Sequence, residues 1–216
     1  MIHVVIDLEM NPNRNKEIRR LLPEEVIEIG AVKLDENFKQ VDEFQRYVKP
    51  EYGSITQHIS KLTGITDATV ADKNPFAVEF NNFLSWIGTD DAALYSWSNS
   101  DLAQFQSECA FKLPEFDLSR LENNWIDLQK AFDNKIGLNS NLALSTALGA
   151  MNRNFKGIQH TALADASNTA AILILMQDEE EFRTTMKPII DLLNPKEMTA
   201  SIGELFPDLA KLNFDE

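Results

Sequence analysis

The segment that most constrains the fold is Val4-Val5-Ile6-Asp7-Leu8-Glu9-Met10. A short run this apolar reads as a buried strand of a central sheet. Carboxylates inside such a strand are costly to desolvate unless they are paired or hold a cation. Side chains alternate along a strand, so Asp7 and Glu9 share one face, roughly 7 Å apart, while Ile6, Leu8 and Met10 take the other. Two acids so placed suit the hard oxygen coordination that divalent cations require. The competing reading is a strand whose end has emerged into water.

The rest of the chain supplies partners for that strand. Residues 25–34 and about 43–48 predict two further strands, joined as an antiparallel hairpin through Asp35-Glu36-Asn37 and closed by Lys49-Pro50. The loop at 11–23 carries Arg14, Lys16, Arg19 and Arg20. These charges read either as phosphate contacts at the mouth of a site or as an exposed flap that keeps the chain soluble. Residues 55–66 predict a short helix stopped by Gly64, with His58 a surface or packing residue. Phe76, Phe80, Phe83, Leu84 and Ile87 recur at three- and four-residue spacing, which predicts an amphipathic helix ending near Gly88 with its aromatic stripe in the core. Short strands are expected at 92–97 and 125–128, and helices from about 98, over 141–151, and from about 161 to 176. A three-strand meander followed by alternating helix and strand predicts an α/β fold with a mixed sheet. After Gln177 the sequence turns acidic at 178–181, and Pro188, Pro195 and Pro207 predict short pieces.

Composition excludes several classes. A chain of 216 residues is long enough for one domain with a full core and an appendage, here 1–177 and an acidic extension at 178–216 packed on it. The single Cys109 rules out an intramolecular disulfide and a cysteine-based zinc site, which suits a cytoplasmic location. Met1-Ile2-His3 leads straight into the first strand, so no secretory leader is expected, and no apolar run is long enough to span a bilayer. A formal charge of −14 argues against tight non-specific binding of long nucleic acid. It leaves room for a short substrate held at a metal centre, where bound cations dominate the local field.

Three residues join Asp7 and Glu9 as candidates. Asp101 stands where a strand gives way to a helix, and taken alone reads as an N-cap. Asp165 falls in the first turns of a helix, where a carboxylate also suits the dipole. His160, five residues earlier, cannot share a helical face with it and belongs to the preceding loop, with Thr161 a plausible cap. The three segments can converge with the first strand at one end of the sheet. Four carboxylates there would repel one another unless cations neutralise them. Four acids and an imidazole are what two-metal phosphodiester hydrolysis needs, with the imidazole suited to proton transfer near neutral pH.

These motifs resemble the DEDDh branch of the DnaQ-like 3′→5′ exonucleases. The likeness is carried by V-V-I-D-L-E at 4–9, E-V-I-E-I-G-A-V at 25–32, L-T-G-I-T at 62–66, S-W-S-N-S-D-L at 96–102 and H-T-A-L-A-D-A-S-N-T-A at 160–170. They fall in family order and span about residues 1–176. The resemblance implies a ribonuclease H-like three-layer fold with a central mixed five-stranded sheet. It also implies release of nucleoside 5′-monophosphates from a 3′ end using two Mg²⁺ or Mn²⁺ ions. By that likeness Asp7 bridges both ions, Glu9 and Asp165 serve the nucleophile-side ion, and Asp101 serves the second. His160 is the general base, and Leu8 and Met10 lie near the terminal nucleotide. D-L-E-M looks like the oligoribonucleases, whereas K-P, L-T-G-I-T and F-K-G-I-Q-H look like the Eri-type and KapD-like proteins. Both neighbours act on RNA, so single-stranded RNA or a short oligonucleotide is the expected substrate. A DNA exonuclease and a catalytically silent binding module are the rival readings.

Overall fold

The computed structural model describes residues 1–89, 91–139 and 141–193. At its centre runs β1 (Ile2–Pro12), which feeds two cores at once: Val4, Ile6 and Leu8 on one face and Val5 on the other. Only a strand covered on both faces needs so continuous an apolar run. β2 (Glu24–Leu34) pairs antiparallel with β1, and β3 (Gln40–Tyr47) antiparallel with β2. On the other side β4 (Ala92–Ser96) and β5 (Trp125–Asp127) run parallel to β1, giving the order β3-β2-β1-β4-β5. The mixed five-stranded sheet expected from the motifs is therefore present.

Helices cover both faces. After β3 come α1 (Gln57–Thr63), α2 (Asp67–Val70) and α3 (Phe76–Ile87), and after β4 comes α4 (Ser100–Lys112). Phe76, Phe80 and Phe83 of α3 and Phe105 of α4 are fully buried against Val4, Ile6 and Leu8. Each such side chain contributes about 1.5–3 kcal/mol of burial, so the aromatic stripe is core, as its spacing predicts. The short α5 (Ser119–Glu122) precedes β5, and α6 (Leu128–Ile136), α7 (Leu144–Ala150), α8 (Ala162–Gln177) and α9 (Glu179–Leu193) follow it. They build the second core around Val5 and Val32, with Phe132, Ala166, Ala170, Leu173, Phe182 and Met186 among its members.

Several boundaries differ from the sequence expectation. β3 starts at Gln40 rather than near 43, and the helix expected over 141–151 is confined to α7. α6 was not foreseen; Asp127 caps it by accepting the Lys130 N–H, Gly137 ends it in the left-handed region, and Leu128, Phe132 and Ile136 form its buried stripe. Pro188 does not break the chain but sits inside α9. The ring removes one backbone hydrogen bond, yet Phe182, Met186, Ile189 and Ile190 keep one face of the helix on the core. Residues 194–216 of the expected extension, with Pro195 and Pro207, lie outside the described residues.

Candidate active site

Asp7 and Glu9 emerge on the α8 side of β1, opposite Gly30 and Glu28 of β2. Immediately beyond that pair the ladder shifts: Glu9 faces Glu28, but Met10 faces Val26. Ile27 is the extra residue of this bulge, and it packs with Ile65 and Val70 away from the two main cores. Bulges re-aim side chains beside functional sites; this one fixes Glu9 and Glu28 on one face while returning Val26 and Met10 to the other core.

Asp101 is not the N-cap of α4. Asn99 holds that position, and Asp101 lies in the first turn, 4% exposed, where its Oδ1 accepts the Leu8 N–H at 3.0 Å. The cause is the sheet itself. Pairing of β1 with β4 ends at Val5 and Tyr95, so the Leu8 N–H lies past the ladder and requires another acceptor. α4 begins just above that point and supplies it.

Asp165 and His160 are placed by an unusually close approach of α8 to β2. A Cβ on Gly30 would stand 2.2 Å from both the Ala162 carbonyl carbon and the Leu163 nitrogen, so only glycine admits the helix here. Next to it, the buried Glu28 accepts the Ala162 N–H through Oε2 at 3.1 Å and the Gln45 Nε2–H through Oε1 at 2.6 Å. Glu28 thus satisfies an orphan donor of α8. Thr161 occupies the N-cap position, but its side chain accepts no cap hydrogen bond and its hydroxyl donates to the Ile158 carbonyl. His160 has φ of 63°, and its backbone N–H donates to Asp165 Oδ2 at 2.9 Å, locking the turn that presents the imidazole.

All seven residues expected from sequence line one cleft of about 230 Å³: Asp7, Leu8, Glu9, Met10, Asp101, His160 and Asp165. Trp97, Ser98, Ser100 and Leu144 complete its wall. The first three of these lie inside the S-W-S-N-S-D-L motif, which was the available signal; nothing in the sequence marked Leu144. Glu28 and Gly30 were also missed as site-forming residues, although E-I-G stood in the second motif.

The cleft gathers acidic groups that raise one another's proton affinity. Burial raises Asp7 well above the usual carboxylate range, and Asp101, Asp165, Glu9 and Glu28 raise it further. Glu9 is pushed up to about 8 by burial and then by Asp165, Glu28 and Asp101. Burial lifts Asp101 to about 7 despite the Leu8 hydrogen bond, and it also raises Asp165 and Glu28. The charges acting on Asp7 are all acidic, so its carboxylate form is disfavoured without a counter-charge. Ligand atoms of Glu9, His160 and Asp165 lie within 4.8 Å of one another, a spacing one metal ion can bridge.

The model of the exonuclease family, RNase T, matches residues 4–173. The chain belongs to the exonuclease family. This exonuclease-family chain is 30% identical over 173 residues to ERI1 exoribonuclease 2 of Homo sapiens, covering 69% of this chain and 25% of that protein. It thus spans about a quarter of the length of that relative. It is 23% identical over 191 residues to "Probable 3'-5' exonuclease KapD" of Bacillus subtilis, covering 86% and 89% of the two chains. The Eri-type and KapD-like likeness of the motifs recurs in both. Among solved structures, the nuclease domain of 3'hExo, a DEDDh family member bound to rAMP, superposes with a TM-score of 0.72 at 24% identity, covering 83% of this chain and 94% of that one. At that identity the likeness carries the fold.

Proposed function

We propose that this chain is a metal-dependent 3′→5′ exonuclease acting on single-stranded RNA or short oligonucleotides and releasing nucleoside 5′-monophosphates. The observation that carries this reading is the gathering of four carboxylates and one imidazole in a single cleft at the C-terminal end of β1. Asp7, Glu9, Asp101 and Asp165 would hold the metal, and their raised proton affinities fit a ligand set that waits for cations. Two bound Mg²⁺ or Mn²⁺ ions would stabilise the attacking and leaving oxygens of the phosphodiester.

The chain's own groups then have distinct tasks. Asp101 holds the Leu8 backbone, so the strand that carries Asp7 and Glu9 stays in register with α4. The His160 ring takes the proton of the attacking water, and the His160–Asp165 backbone tie keeps that ring at the cleft. Leu8 and Met10, which line the cleft together with Leu144 and Trp97, would lie beside the terminal nucleotide. One observation favours a second assignment: the His160 nitrogen lies close enough to Glu9 and Asp165 to be a ligand itself.

RNA is favoured because a relative at 30% identity is named an exoribonuclease. A net charge of −14 favours short strands, since few phosphates can be neutralised. The test uses 5′-labelled single-stranded RNA and DNA of equal sequence, with Mg²⁺, Mn²⁺ or chelator. A ladder shortening from the 3′ side, faster on RNA and abolished by chelator, is expected. Cutting of a circular single strand would point to an endonuclease and refute the reading.

A further inference from the structure

The basic loop that follows β1 has no task in the chemistry above. Arg14, Lys16, Arg19 and Arg20 fall within seven residues, with Glu17 the one acid among them, in a chain of net charge −14. All four are exposed, and the ion pairs among the described residues involve none of them, nor the exposed Lys61 of α1. A run of exposed cations outside these ion pairs, in a strongly acidic protein, offers a place for an anionic ligand.

The fold gives two of these cations a groove. Arg14 and Lys61, with Gln57, Ser60 and Thr66, line a hollow of about 620 Å³. The groove's one acid, Asp67, is already engaged through Oδ1, which accepts the Ile55 N–H at 2.7 Å. The groove is tied to the active cleft through β1. Met10 lines the cleft, and the next residue, Asn11, is buried and clamps the entry to α1 from both sides. Its Nδ2 donates to the Ser54 carbonyl at 3.2 Å, and its Oδ1 accepts the Thr56 N–H at 2.8 Å. Arg14 follows four residues after Met10, so their Cα atoms are at most about 14 Å apart. A strand whose 3′ end lies in the cleft reaches the groove within a few nucleotides.

We propose that this groove is an upstream subsite, where Arg14 and Lys61 hold backbone phosphates on the 5′ side of the terminal nucleotide. The proposal rests on the exonuclease reading above. The groove reads charge rather than sequence, because two flexible cations contact phosphates without addressing base edges. It favours oligomers long enough to fill it over dinucleotides.

The experiment compares wild type with Arg14→Ala, Lys61→Ala and the double variant. Both side chains are exposed, and melting temperatures are expected to match wild type. Binding of a fluorescently labelled single-stranded RNA oligomer is followed by anisotropy in Ca²⁺ across a salt series. The double variant should bind about tenfold more weakly, and the slope of log K against log salt should flatten by about 0.7 for each cation removed. In Mg²⁺, the ratio of KM for a long oligomer to KM for a dinucleotide should rise about tenfold in the double variant. Wild-type affinity and wild-type salt slope in the double variant would overturn the subsite. Absence of turnover in wild type would refute the exonuclease reading instead, and the binding series would still decide the groove.

Discussion

Replacing Gly30 with alanine tests how the sheet positions α8. The added methyl would sit 2.2 Å from two backbone atoms of the first turn of α8 and 2.6 Å from the Ala162 oxygen. Ordinary contact begins at 3.4 Å, and backbone cannot rotate aside, so the helix start must retreat by about 1 Å. Overpacking of this kind costs about 1–3 kcal/mol, or about 2–4 °C in Tm per kcal/mol for a chain of this size. The retreat also stretches the 3.1 Å bond between Glu28 and the Ala162 N–H. Asp165 and His160 move with the helix start, while Asp7, which pairs with Gly30 across the ladder, stays behind. A displacement of about 1 Å in a catalytic constellation costs on the order of 100-fold. Single-turnover cleavage at saturating metal, alongside thermal melting, reads both effects. A folded Gly30→Ala variant cleaving at the wild-type rate would refute the argument that this approach sets the site.

Stability of the metal-free protein should fall as pH rises from about 5 to about 8. The native state retains protons on Glu9, up to about 8, and on Asp101, up to about 7, that the unfolded chain has already lost; a Tm in chelator that rises over this range, or a slope not flattened in Asp7→Asn, would contradict it. The Lys112 side chain is 6% exposed and bridges Glu25 at 2.9 Å, Glu108 at 2.8 Å and Glu51 at 3.0 Å. Lys112→Ala should therefore cost about 3–5 kcal/mol by leaving carboxylates buried without a counter-charge; a denaturant midpoint equal to wild type would show the cluster to be neutral. Phe182 of α9 is 1% exposed, so Phe182→Ala should cost about 3–5 kcal/mol without altering metal affinity. Removing residues 194–216 should leave turnover intact, and a folded truncation that binds metal but no longer cleaves short oligomers would show otherwise.

What could be read from the sequence, and what could not, divides by the range of the interaction. β1 was legible because its period-two placement of acids and apolar residues is local, and the helix over Phe76–Ile87 because its spacing is. Asp101 looked like a cap because N-cap preference is a local rule, whereas its partner, the Leu8 N–H, is 93 residues away. Thr161 looked like a cap by the same local rule, but its hydroxyl donates to the Ile158 carbonyl, and the first N–H of α8 is bonded instead by Glu28, 134 residues distant in sequence. In E-V-I-E-I-G nothing distinguishes a glutamate that caps a remote helix from one that faces water. Gly30 reads as a weak strand residue until α8 is seen against it. Leu144 reaches the cleft through the packing of α7, which no motif encodes.

Calorimetric titration of Mg²⁺ or Mn²⁺ into wild type, Asp7→Asn and His160→Ala, paired with single-turnover rates, addresses the proposed division of labour directly. If Asp7 holds both ions, its amide should lose metal binding and turnover together, and the folded metal-free variant should melt higher because one of several repelling carboxylates has gone. If His160 only accepts a proton, His160→Ala should keep metal binding and the metal-induced rise in Tm, while turnover falls by about 100-fold or more. Loss of metal binding in His160→Ala as complete as in Asp7→Asn would make His160 a ligand and contradict the account.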